Sequence, residues 1–375
     1  MAVERALQDA AKIDGPVVVH VVTEKGHGYQ MAENDDVDRY HGVPAFDPAL
    51  GVVVKKAPAW TDLFGHALLE VAEADSRVVA ITAAMASSTG LLEFAKRWPE
   101  RFFDVGIAEQ HAVTFAAGLA MQGLKPVVCI YSSFLQRAFD QVMCDVALHK
   151  LPVMFVLDRS GITSDDGASH HGAFDMAYLR TVPGMTVCAP SSPEEMRRML
   201  ATGIAHQDGP FAMRYPRGAA PEFGAAALLP VPVGKAQVLR EGTDVAVFAI
   251  GKMVSVAMAA AEILESEGIR PTVVDARFVK PIDPTLADLA AGHSSVITVE
   301  DGVVSGGFGS AVLELLAQNA IERPVVRLGL PDHFIEHGAQ AKLLERYGLD
   351  ARGVAVAIRN SAKPRSVLPL LAVAR

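Results

Sequence analysis

Side chains able to do chemistry gather where apolar runs of strand type give way to polar residues. In Phe102-Phe103-Asp104-Val105-Gly106-Ile107-Ala108-Glu109 the apolar residues read as the end of a buried strand. Gly106 permits a turn, and the spacing predicts an alanine-rich helix from Glu109 to Met121. Glu109 then sits at the carboxyl edge of a sheet, where α/β proteins place ligands. A glutamate in a first helical turn is commonly no more than a partner for the helix dipole, so its company decides. Leu157-Asp158-Arg159-Ser160-Gly161 leads from another strand end into a loop that carries Asp165, Asp166, His170, His171 and Asp175. That density of titratable groups at one sheet edge points to a site. The neighbouring histidines point in opposite directions and the loop has no HxxxH spacing, so no metal ligand is assigned.

Two further strand ends add aromatic and cationic groups. Tyr131-Ser132-Ser133-Phe134-Leu135-Gln136-Arg137 offers rings, hydroxyls and a guanidinium, and Arg214-Tyr215-Pro216-Arg217-Gly218 offers two arginines. Guanidinium forks suit phosphate, so Arg137, Arg159 and Arg217 on one rim predict a small phosphorylated substrate. Gly306-Gly307-Phe308-Gly309 opens a helix and suits a weakly held anion.

Positioning these groups takes a large α/β core. The 375 residues are 50% hydrophobic and carry a formal charge of −9, which fits two to three domains and argues against nucleic-acid binding. Cys129, Cys144 and Cys188 lie in apolar stretches without CxxC spacing, so a reduced, cytoplasmic protein is expected. The most apolar window, Val245 to Leu264, is broken by Gly251-Lys252 and Ser255, and Glu4, Asp9 and Asp14 interrupt the start of the chain. Neither a membrane span nor a signal peptide is expected.

Along the chain, Val3 to Lys12 has helical spacing and Val17 to Val22 reads as a buried strand. A helix and one strand cannot form a domain, so this looks like the last unit of something larger or an arm that adds a strand to another sheet. Lys25 to Ala57 reads as a linker. From Trp60 to Pro216 strands alternate with helices, among them Arg137 to His149, which implies a mostly parallel sheet with helices on both faces. A second linker follows, and the βα alternation resumes from Asp244 to Leu328 as a second α/β domain.

Taken together, the four strand-end stretches, with Gly329-Leu330-Pro331-Asp332 and Phe334-Ile335-Glu336-His337-Gly338, resemble the deoxyxylulose-5-phosphate synthase family, thiamine-diphosphate enzymes of the transketolase superfamily. The resemblance implies a remnant of the diphosphate-binding domain plus linker over 1–57 and a pyrimidine-binding domain over 58–218. A linker over 219–232 and a transketolase C-terminal domain over 233–375 complete the expectation. It implies that Glu109 hydrogen-bonds the aminopyrimidine of thiamine diphosphate and so activates its thiazolium carbon. Phe134 would stack on that ring, with Ile107 and Met85 packed nearby. Arg159, Arg217 and Tyr131 would hold the phosphate of glyceraldehyde 3-phosphate, and His170, Asp166 and His41 would move protons around pyruvate.

Ala168-Ser169 and Ala86-Ser87-Ser88 depart mildly from the family pattern. The family's Gly-Asp-Gly motif does not occur, so the ligands of Mg2+ and diphosphate are expected on a missing domain. The chain would then be part of a synthase, completed by a separate polypeptide if the enzyme is split, and at least a homodimer. The alternatives are a non-catalytic partner-binding remnant, a split transketolase or a 2-oxo-acid dehydrogenase β-type subunit.

Overall fold

The computed structural model describes residues 2–43, 46–51, 58–163, 166–221 and 227–362. The chain divides into two units, Met1–Lys55 and Lys56–Arg375.

In the first unit Ala2–Ala10 is helical, as its spacing predicts, but none of its residues is buried. Val17 to Val22 is not the buried strand expected: it forms no ladder among the described residues, and Val18 and Val22 are 93% and 84% exposed. An apolar run becomes a strand only when a neighbour takes up its N–H and C=O groups, and the described residues of this unit offer none. The expected linker is partly ordered instead. Tyr40 packs edge-on against Tyr29 and Phe46, with centroids at 5.7 and 5.5 Å, and the Tyr29 hydroxyl donates to the Pro48 carbonyl at 2.9 Å.

The second unit holds two sheets. Strands β1 (Val78–Thr82), β2 (Phe102–Asp104), β3 (Lys125–Tyr131), β4 (Met154–Asp158), β5 (Thr186–Cys188) and β6 (Phe211–Arg214) run parallel. Then come β7 (Gln237–Arg240), β8 (Ala246–Ala249), β9 (Thr272–Asp275), β10 (Phe278–Lys280), β11 (Val296–Val303) and β12 (Val325–Leu330). The first sheet has the order β10-β5-β6-β4-β3-β1-β2, and the second β12-β11-β8-β9-β7. Both central regions are continuous apolar runs enclosed by helices, which is why β1 and β4 are buried at every position.

Two features were not expected. Strand β10 comes from the second half of the chain yet pairs antiparallel with β5, completing the edge of the first sheet. Beside it, buried Arg277 is paired with Glu195 at 2.8 Å. The helix expected from Arg137 to His149 changes pitch instead: a 3-10 turn at Gln136–Ala138, an α turn at Phe139–Gln141 and a π segment at Val142–Ala147. Such departures from regular pitch recur at functional sites.

Candidate active site

The β2–helix junction is built as its residues dictate. Gly106 has φ +71°, and Asp104 Oδ1 accepts the backbone N–H groups of Ala84 at 2.8 Å and Gly106 at 3.0 Å, which fixes the turn. The helix Glu109–Met121 then begins at Glu109 itself, whose side chain is 2% exposed. Nη1 of Arg137 bridges both Glu109 oxygens at 2.9 and 2.8 Å.

The other two expected phosphate arginines also carry a carboxylate partner. Arg159, at φ +59°, donates through Nη1 to Asp158 at 2.6 Å, to Thr61 Oγ1 at 3.1 Å and to the Ser88 carbonyl at 2.5 Å. Burial pushes the Asp158 carboxyl up, against the pull of Arg159. Arg217 donates to Asp166 at 2.6 Å and to the Thr163 carbonyl at 3.3 Å, in an exposed pair. Each of the three guanidiniums is thus paired with a different acid.

A ladder of rings joins part of the set. The Arg159 guanidinium lies 4.4 Å above the Tyr131 ring, Tyr131 stacks on Phe134 at 5.3 Å, and Phe134 meets His170 edge-on at 5.4 Å. Burial pushes the Tyr131 phenol up. The two histidines divide their work. His171 is buried: its Nδ1 accepts the Thr163 N–H at 3.0 Å, so Nε2 carries the proton and donates to the Glu336 carbonyl at 3.1 Å. Burial lowers its pKa, consistent with a neutral strut between the loop and the second sheet's side. His170 is half-buried, with Nδ1 3.0 Å from Ser169 Oγ.

Met85 is buried in the core beside Ile81 and Ala83, whereas Ile107 is 81% exposed. His41 belongs to the first unit, where its N–H donates to the Asp38 carbonyl at 3.0 Å. Asp165 and its neighbour Ser164 lie outside the described residues. Among the described residues no group of three or more His, Cys, Asp or Glu is placed to hold a metal ion.

Sequence reasoning missed the charged centre beneath this rim. Arg214 Nε donates to Asp175 at 2.8 Å and Nη1 to Asp301 at 2.6 Å, while Lys252 lies 3.2 Å from the other Asp301 oxygen. Ser132 and Ser160 hydroxyls donate to Asp175 as well, at 2.9 and 3.0 Å. Burial opposes ionisation of Asp301, but Arg214 and Lys252 outweigh it and hold its carboxyl at about 2. A Cβ on Gly161, which has φ +74°, would lie 2.0 Å from Asp301 Oδ2. The signal for it was an acid pair, Glu300-Asp301, inside an apolar strand. The glycine-rich helix start does meet an acid, but an internal one: the Glu300 carboxyl group accepts the N–H groups of Phe308 at 2.7 Å and Gly309 at 2.8 Å.

Two mostly parallel sheets covered by helices, with a buried acid and arginines at the carboxyl ends of the first sheet's strands, define an α/β protein of the kind that binds ligands at its strand ends. Comparison with known proteins agrees. The model of the transketolase pyrimidine-binding domain matches residues 56–222, and that of the transketolase C-terminal domain matches 234–354. A solved structure described as a split-gene transketolase, inactive beta4 tetramer, is 34% identical with a TM-score of 0.72, covering 82% of this chain and 99% of that one. The 1-deoxy-D-xylulose-5-phosphate synthase of Aquifex aeolicus is 52% identical over 96% of this chain and 58% of its own length. That of Thermomicrobium roseum is 53% identical over 91% of this chain and 54% of its own length. The chain belongs to the transketolase family, and it spans little more than half the length of these curated relatives.

Proposed function

We propose that the chain is the pyrimidine-binding and C-terminal part of a thiamine-diphosphate-dependent synthase that condenses pyruvate with glyceraldehyde 3-phosphate to 1-deoxy-D-xylulose 5-phosphate, releasing carbon dioxide. The observation that carries this reading is Glu109, a buried carboxylate at the start of a helix on the sheet's ligand edge. Its two oxygens share one nitrogen donor, so a single protonated ring nitrogen can engage the same carboxylate. Phe134, on the turn that also carries Arg137, offers an aromatic face. These residues fit the pyrimidine end of thiamine diphosphate; the described residues do not fit Mg2+.

When bound, thiamine diphosphate supplies the carbon nucleophile that takes up pyruvate. Glu109 would orient the aminopyrimidine, with Met85 and Ile107 as its apolar flank. Arg159, Tyr131, Arg217 and Arg137 would take the acceptor's phosphate. For Arg217 this means exchanging Asp166, a cheap step for an exposed pair. Asp166, once released from Arg217, and His170 would then move protons at the reacting carbons.

Diphosphate and Mg2+ would be held by residues outside the described ones, on the same or a second polypeptide. The unpaired, exposed run Val17 to Val22 supports contact with a sheet from that part. Exposed Ile107, Met121 and Leu148 support pairing with a second copy, and the absence of any disulfide among the three cysteines supports a reducing, cytoplasmic setting. The test is to mix the purified chain with the diphosphate-binding part of a relative, thiamine diphosphate, Mg2+ and both substrates. Product in the mixture, and none from either part alone, is expected; failure of every such mixture overturns the reading. The likeness to the split-gene transketolase favours one second reading, and turnover of a ketose phosphate in place of pyruvate would support it.

A further inference from the structure

Arg137 and Glu109 are unequal partners: the acid is 2% exposed and the guanidinium side chain 52%. The near-equal distances of 2.9 and 2.8 Å set Nη1 equally far from the two carboxylate oxygens. Glu109 is otherwise enclosed, so the half-exposed side that Arg137 covers is the one open to a ring nitrogen. An exposed arm attached through a single nitrogen is held loosely, unlike a fork that engages two. A buried carboxylate, however, must keep a partner at all times.

Resting on the reading of Glu109 given above, we propose that Arg137 is an exchangeable counter-ion. It covers Glu109 in the free chain and yields that side to an aminopyrimidine. The aminopyrimidine takes up a proton from solvent on its ring nitrogen and so arrives as a cationic donor; one donor replaces the other, and the buried charge is never left alone. The exchange also releases a guanidinium from its acid, which couples occupation of Glu109 to the capture of an anion.

The probe is hydroxymethylpyrimidine, the aminopyrimidine end of thiamine without diphosphate, titrated calorimetrically into the full chain, into Arg137→Gln and into Glu109→Gln. Competition requires Arg137→Gln to bind roughly fivefold more tightly than the unchanged chain. Glu109→Gln should bind least. Equal or weaker binding by Arg137→Gln overturns the exchange and leaves the role of Glu109 standing. Undiminished binding by Glu109→Gln, or no binding by any of the three, overturns both. Should Arg137→Gln fail to fold, the side-chain N–H signals of Arg137 in the unchanged chain give a second readout. They must move toward those of a free arginine as the probe is added, and signals that stay put overturn the exchange.

Discussion

Glu300→Gln should remove a pH dependence of stability that one buried acid imposes. Glu300 is enclosed, and burial pushes its pKa from 4.5 up to about 7 in spite of the Phe308 and Gly309 N–H donors. Below the unfolded value both states carry the proton, and the residue's contribution is whole. As pH rises through the window the unfolded chain ionises while the folded chain keeps its proton, so stability falls until the folded pKa is passed. A gap of roughly 2.5 units at about 1.36 kcal/mol per unit comes to about 3 kcal/mol. Glutamine fills the same space, accepts one of the two N–H groups and does not titrate. Urea unfolding of both proteins in steps from about pH 4.5 to 8 isolates the residue, because Asp275, which burial pushes up to about 6, titrates in both and cancels. The unfolding free energy of the unchanged chain relative to Glu300→Gln should decline by about 3 kcal/mol across the window. Parallel profiles would refute the reasoning, and would mean that the helix start stabilises the carboxylate enough to offset its burial.

Glu109→Ala, assayed in a completed enzyme, should lower turnover by roughly two orders of magnitude or more, and near-normal rates would remove Glu109 from the chemistry. Arg214→Met leaves Asp175 and Asp301 buried without their shared cation. It should cost about 3–5 kcal/mol in chemical denaturation, with a smaller loss showing that Lys252 and the serines suffice. Gly161→Ala sets a methyl against Asp301 at a positive φ, and a drop of at least about 2 kcal/mol is expected from thermal unfolding.

What could be read from the sequence follows from how local each signal is. The helix Glu109–Met121 has the bounds its pattern predicts, because a helix face is written in consecutive residues. Val17 to Val22 carries the pattern of a buried strand without the neighbour that would make it one. Strand β7 is exposed at Gln237, Val238 and Leu239 and lacks the apolar run that marks its neighbours. The pitch changes between Gln136 and Ala147 break the period on which a helix reading rests. At the candidate site, residue types at strand ends singled out Glu109 and the arginines as candidates. Their pairing did not show, because Glu109 and Arg137 are 28 residues apart and Asp166 and Arg217 are 51 apart. The buried Asp175–Arg214–Asp301 group was hidden for the same reason, since tertiary structure alone brings its members together.

Strand β10 bears on how such a protein can be cut and recombined. Severing the chain between the two sheets would strip β5 of its outer neighbour and leave a row of unpaired N–H and C=O groups, the kind of edge that other chains adhere to. The removed piece would carry Phe278, fully enclosed in the native fold, into water. The two sheets are therefore a single inheritable module: a gene break between them is not tolerable, and any exchange of the C-terminal part between relatives has to bring a compatible edge strand with it.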